Sequence, residues 1–300
     1  MSEPKAASDL SQERVGELLV ILGSITWGLF PVLTKLSFYE VPPLFSAACC
    51  TLFSTPLFAY RIWRRKLWGE YANPAAWKGI AAAATFIGVF YYGLTFIGLK
   101  YTSAGKASLV LLMEIFFTFV LLHVWGVERN TRRHLVGGVA MVIGASFVLF
   151  PGEFRPQTGD LIVLAACLFP PVGNHLVKEA RRSVSTENLL LGRAAISGVI
   201  FMLISVVVED APSRSNFQKA LPGLLINGLL LFGLTKIWWL EAIHRINISK
   251  AIALGAVSPA FTLLFAYLML DEVPTWWHLI GFVPMLIGVW LLTSNSRSQL

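Results

Sequence analysis

The sequence predicts an all-α integral membrane protein of ten transmembrane helices, arranged as two inverted five-helix repeats. Three observations predict it. The 300 residues are 56% hydrophobic and only 14% charged, whereas soluble domains carry about 25% charged residues, so lipid must be the solvent for much of the surface. Ten apolar stretches reach the length needed to cross a bilayer, about 17 to 25 residues each. The sequence also repeats itself at an offset of 144 residues, which lays Lys106 on Lys250 and Gly144 on Gly288.

The elements follow in chain order. Residues 1–15 form a polar, charged N-terminal tail with no apolar h-region, so the first span, near 16–36, is read as a retained helix and not a cleaved signal peptide. Within it Trp27 is followed by Gly28 and Pro31, which loosen a helix. The second span (43–62) starts behind Val41-Pro42-Pro43 and ends in a cluster of Arg and Lys; the third (77–98) starts behind Asn73-Pro74. The fourth (103–124) opens on Lys106 and carries Glu114 at its middle. The fifth (133–150) holds Gly137 and Gly144, which let a neighbouring helix approach closely. Pro151-Gly152 leads to the sixth (159–177), which Pro170-Pro171 interrupts. The seventh (188–208) contains Arg193, and the eighth (219–242), behind Ala211-Pro212-Ser213, contains Lys236 and Trp239. The ninth (248–270) contains Ser258-Pro259; the tenth (276–293), behind Val273-Pro274, repeats the glycines at Gly281 and Gly288. The repeats occupy 16–150 and 158–293, followed by a C-terminal tail, 294–300. Connections this short leave no room for a soluble domain.

Charge distribution narrows function. The formal net charge of +7 would suit a nucleic-acid binder, but the cations cluster between apolar runs and form no continuous basic face. Of the 24 Lys and Arg, sixteen fall on the side of the odd-numbered span entries and the chain termini, and six on the opposite side. The positive-inside rule then puts both termini in the cytoplasm of a multi-pass cell-membrane protein. Cys49, Cys50 and Cys167 lie inside apolar segments at no metal-binding spacing and are read as small packing residues. No metalloprotease or P-loop motif occurs and only one carboxylate lies deep in a span, which argues against an enzyme, an ATP-driven pump, a metal and a cofactor.

Eleven identities accumulate at the 144-residue offset, among them Glu128 with Glu272 and His134 with His278. Five spans per half is an odd number, so the second half enters the membrane upside down. An inverted repeat supplies two exchangeable conformations, the basis of alternating access. The Trp27-Gly28 pair, the Lys106-Ala107 and Lys250-Ala251 openings and Ser258-Pro259 resemble the drug/metabolite transporter superfamily. So do Glu128 and Asp271-Glu272, followed by Leu135-Val136-Gly137 and Leu279-Ile280-Gly281. The closer similarity is to its EamA-like branch, over about residues 16 to 293. That resemblance implies spans one, three, four, six, eight and nine around a central cavity, with five and ten paired behind it. One departure stands out: where the second half has Ser258-Pro259, the first has Glu114-Ile115, without the helix-loosening proline.

Candidate site residues follow. An unpaired ionised carboxylate at a span centre costs about 2.5–3.5 kcal/mol on insertion scales, so Glu114 is expected to face a cavity and to be the proton-coupling residue; a structural ion pair is the competing role. Lys236, the repeat counterpart of Tyr92, is expected to meet a substrate carboxylate or Glu114. Thr85, Gly88, Tyr92 and Thr95 recur at helical spacing as a polar stripe, and the same reading adds Trp27, Trp239, Asn174 and His175 as substrate-binding candidates. Arg193, Lys106, Lys250, His134 and His278 are read as capping or interfacial. The expected function is secondary active export of a small amphipathic metabolite, an amino acid or related compound, with protons as candidate coupling ion. The expected partners are that substrate and the bilayer, with no nucleic acid, in a monomer or weak dimer. A facilitative or uptake permease of the same fold, or a non-transporting sensor or subunit, is the alternative.

Overall fold

The structure is a computed structural model and describes residues 3–127, 131–150, 157–180 and 183–293. Glu128, Arg155, Arg181, Arg182 and the C-terminal tail lie outside the described residues. Among the described residues ten helices are long and apolar enough to cross a membrane. The first five are α1 (Gln12–Ser37), α2 (Pro43–Arg65), α3 (Pro74–Lys100), α4 (Ala104–Val124) and α5 (Arg132–Leu149). The second five are α6 (Thr158–Lys178), α7 (Thr186–Val208), α8 (Arg214–Ile243), α9 (Ile248–Leu270) and α10 (Trp276–Thr293). Helical structure begins at Glu3, ahead of the membrane-length span.

Six of these spans are discontinuous, and they are the pairs that the repeat relates: α1 with α6, α3 with α8, α4 with α9. In α1 the helix stops at Trp27 and restarts at Phe30, with Pro31 in the new first turn. In α6 it stops at Ala166 and restarts at Phe169, ahead of Pro170-Pro171. α3 and α8 change to π-helix over Ala83–Tyr91 and Ile226–Leu234. α9 breaks between Gly255 and Ser258-Pro259. α4 breaks at Leu112, the counterpart of Ala256, although it lacks the proline. The missing proline therefore does not keep α4 continuous; packing imposes the break that proline assists in α9. Proline removes an intrahelical donor and π-turns lengthen the i→i+4 ladder, so both leave backbone groups locally free.

α5 and α10 are continuous and pack together over their lengths, as α2 does with α7. Thr131-His134 and Thr275-His278 start α5 and α10 with the same local bond, the backbone N–H of each Thr donating to the His Nδ1. A Cβ at Gly281 would lie 2.6 Å from the Gly144 carbonyl, and one at Gly288 2.6 Å from the Gly137 carbonyl. Gly288→Leu is therefore expected to lower the unfolding temperature in detergent by overpacking, which typically costs about 1–3 kcal/mol. Gly223→Ala, with nothing within 4 Å of the new methyl, should leave it unchanged or raise it.

Candidate functional site

The broken spans surround a cavity of about 600 Å³, within the range of small-molecule sites. Its walls come from the halves of α1, α3, α4, α6, α7, α8 and α9 nearest the end of the bundle that carries both chain ends; Leu19, Asn174, Leu189 and Ile243 mark that mouth. The cavity stops at mid-bundle on an aromatic floor. Phe30, Phe96 and Phe232 are essentially fully buried; Trp27 stacks on Phe30 at 4.8 Å and Tyr92 leans on Phe232 at 4.8 Å.

Beyond the floor the opposite end is closed by charge. Lys106 Nζ donates to Asp160 at 2.8 Å, and both are buried. Asp160 also accepts from Thr102 and from the backbone of Gln157. Glu272 accepts from the N–H groups of Ala104 and Gly105, capping α4, and pairs with Lys35 at 3.3 Å. Glu209, at the end of α7, caps α2 through Leu44 and Phe45. A carboxylate on a helix N-terminus satisfies free donors and meets the positive end of the dipole. Lys106, read from sequence as an interfacial lysine, is thus a buried ion-pair residue. At the mouth, its repeat counterpart Lys250 pairs with Glu13 and Glu17 of α1, and these side chains are partly exposed.

The structure places Trp27, Tyr92, Glu114, Asn174, Lys236 and Trp239 on the cavity wall. Glu114 occupies the first turn of the second half of α4, directly after the break, where the half-helix dipole supports negative charge. The Tyr91 side chain lies next to its carboxyl. Tyr92 directly follows one π segment and Lys236 lies two residues after the end of the other, and the Lys236 ammonium is a close neighbour of Tyr92. Its Nζ lies 3.6 Å from the Trp27 ring centroid, a cation–π distance. Glu114 and Lys236 are close enough to interact electrostatically but do not form a salt bridge.

Two candidates fall elsewhere. Thr95 is fully buried off the cavity, its hydroxyl donating to the Tyr91 carbonyl at 2.7 Å. His175 packs against Trp125 at 5.0 Å and does not face the cavity. The predicted stripe fails because the π segment resets the angular register: Thr85 is exposed, Gly88 packs against α7, and Tyr92 reaches the cavity. Two wall residues were not among the sequence candidates. Tyr91 lies beside Glu114, and Arg193, read as structural, lines the cavity with its guanidinium 5.4 Å from the Tyr92 ring centroid. The signal for Arg193 was Gly88, whose missing side chain makes room for it: a Cβ there would lie 3.3 Å from Arg193 Cγ.

Comparison with known proteins fits this architecture. The model of the EamA-like transporter family matches residues 14–150 and 157–294. The uncharacterized transporter YoaV of Bacillus subtilis is 26% identical over 280 residues, 91% of this chain and 95% of that protein. A probable amino-acid metabolite efflux pump of Salmonella typhimurium is 24% identical over 300 residues, 93% of this chain and 95% of the relative. A probable terminal-alkyne amino-acid exporter of Streptantibioticus cattleyicolor is 25% identical over 67% of this chain and 68% of its own length. One solved crystal structure superposes with a TM-score of 0.69 at 18% identity, over 95% of this chain and 99% of that one, which shows the fold. Spanning the membrane ten times around one cavity and matched by the family model in both halves, the chain belongs to the EamA-like transporter family.

Proposed function

We propose that this transporter exports a small amphipathic metabolite, an amino acid or related compound, in exchange for protons carried by Glu114. One observation carries the reading: the cavity is open at one end, sealed at the other by the buried Lys106–Asp160 pair and the half-buried Lys35–Glu272 pair, and holds a single carboxylate at a helix break. The Lys and Arg bias makes the open end cytoplasmic, so the conformation is inward-facing and poised to load cargo from inside. Exporter relatives support the direction.

Purified protein in liposomes tests this. An inward-directed proton gradient, taken with respect to the cell interior, should drive radiolabelled amino-acid export against its own gradient. Flux that ignores the proton gradient would leave a facilitative permease; no flux of any metabolite would favour a sensor or subunit. Orientation is tested separately. Reporters fused at either terminus should be active only as cytoplasmic fusions, and a periplasm-active reporter at the C-terminus would overturn the inward-facing assignment.

A further inference from the structure

Two cations, the buried Arg193 and the half-buried Lys236, face the cavity without a salt-bridge partner. Among the described residues neither Lys236 nor Arg193 makes a salt bridge. Glu114, the one acidic side chain on the wall, lies beside Tyr91 and also makes no salt bridge. Each cation rests on an aromatic ring, Lys236 on Trp27 and Arg193 on Tyr92, and Lys236 also lies beside Tyr92. Tyr92 therefore touches both. Ring faces replace only part of the hydration that an ammonium or guanidinium gives up. Charges inside a membrane protein are retained where they meet a partner or a substrate.

We infer that the recognised group of the cargo is a carboxylate, held beside Tyr92 between Lys236 and Arg193. An apolar body lies against Trp239, an amino group is optional, and net cations are rejected. The inference rests on the transporter reading and adds the chemistry of its cargo. Arg193 supplies specificity here because its fork of donors fits a carboxylate with two parallel bonds, which Lys236 alone does not offer. A cationic cargo would instead share the cavity with two positive charges and find only Glu114.

The test compares ligands that share one ring system and differ in charge: indole-3-acetate, L-tryptophan and tryptamine, by calorimetry on the purified full-length protein. The two carboxylates should bind at least about tenfold more tightly than tryptamine, a modest specificity ratio for a charged group. Arg193→Gln and Lys236→Gln should each remove that preference without weakening tryptamine. Arg193→Lys and Lys236→Arg should restore part of it, and they keep the test alive if a glutamine variant fails to fold. Equal or tighter binding of tryptamine, binding of none of the three, or an unchanged preference in both glutamine variants would overturn the assignment. So would tight binding of chloride or inorganic phosphate alone, which would mark a bare anion site. Flux separates the two readings. Carboxylate preference with no flux into liposomes would sink transport and leave the carboxylate site standing; flux of tryptamine but not of indole-3-acetate would do the reverse.

Discussion

Glu114→Gln should abolish gradient-driven export while leaving substrate binding and passive counterflow measurable. The amide keeps the shape and the neighbourhood of Tyr91, but it cannot exchange a proton. Since a coupling free energy of about 1–3 kcal/mol corresponds to roughly 5–150-fold, the loss should be plain in accumulation ratios. Tyr91→Phe, which removes the hydroxyl but not the carboxyl, should shift the pH dependence of flux without abolishing coupling. Wild-type accumulation by Glu114→Gln would remove this residue from the energetics and return it to a structural role.

Asp160→Asn should tip the molecule toward its outward-open form. The Lys106–Asp160 pair has side chains 9% and 0% exposed, and stripping one partner from a buried pair typically costs about 3–5 kcal/mol. That penalty falls on the conformation in which Lys106 is buried and is relieved when the outer end opens and the ammonium hydrates. A bias of that size moves a two-state equilibrium by orders of magnitude. Lys250→Ala at the mouth should do far less, because its partners are 47% and 32% exposed and exposed pairs contribute about 0–1 kcal/mol. Single cysteines report the change in a background lacking Cys49, Cys50 and Cys167. In Asp160→Asn, labelling of Leu99→Cys by a polar maleimide should rise and that of Ile243→Cys should fall. No change at either position, in a variant that still unfolds cooperatively, would show that this pair does not hold the outer end shut.

Composition and periodicity carried the architecture into view because lipid imposes a coarse, long-range rule: every span must be apolar for its full length. The α5–α10 contact was legible in Gly137, Gly144, Gly281 and Gly288, since a close helix approach demands small residues. Glu114 and Lys236 were legible because a deep charge is rare. What escaped depends on rotation about a helix axis. A π segment leaves no mark in residue type, so the stripe through Thr85 and Thr95 was drawn with the wrong period. The direction of Arg193 depended on Gly88, on another helix. The Lys106–Asp160 bond joins the start of α4 to the start of α6, and single-span reading cannot see across that distance; the lysines and acids opening related spans in both repeats were the available clue.

The repeat gives the closed half of the molecule a second meaning. Thr95 is the counterpart of Trp239, Leu99 of Ile243 and Asn227 of Ala83, so under the proposed mechanism the residues now locked behind the aromatic floor would wall the cavity of the other face. Asn227, with its Oδ1 buried and unbonded, is one group that would gain from release. Under the proposed alternating access, an indole platform would be exchanged for a small hydroxyl, and the same cargo would meet a poorer surface outside than inside. That asymmetry leaves the final gradient untouched, since only coupling sets it. It does set the concentration at which each face saturates, giving a loading side that fills at low cargo and a delivery side that resists refilling, measurable as unequal half-saturation constants for efflux and influx in oriented liposomes.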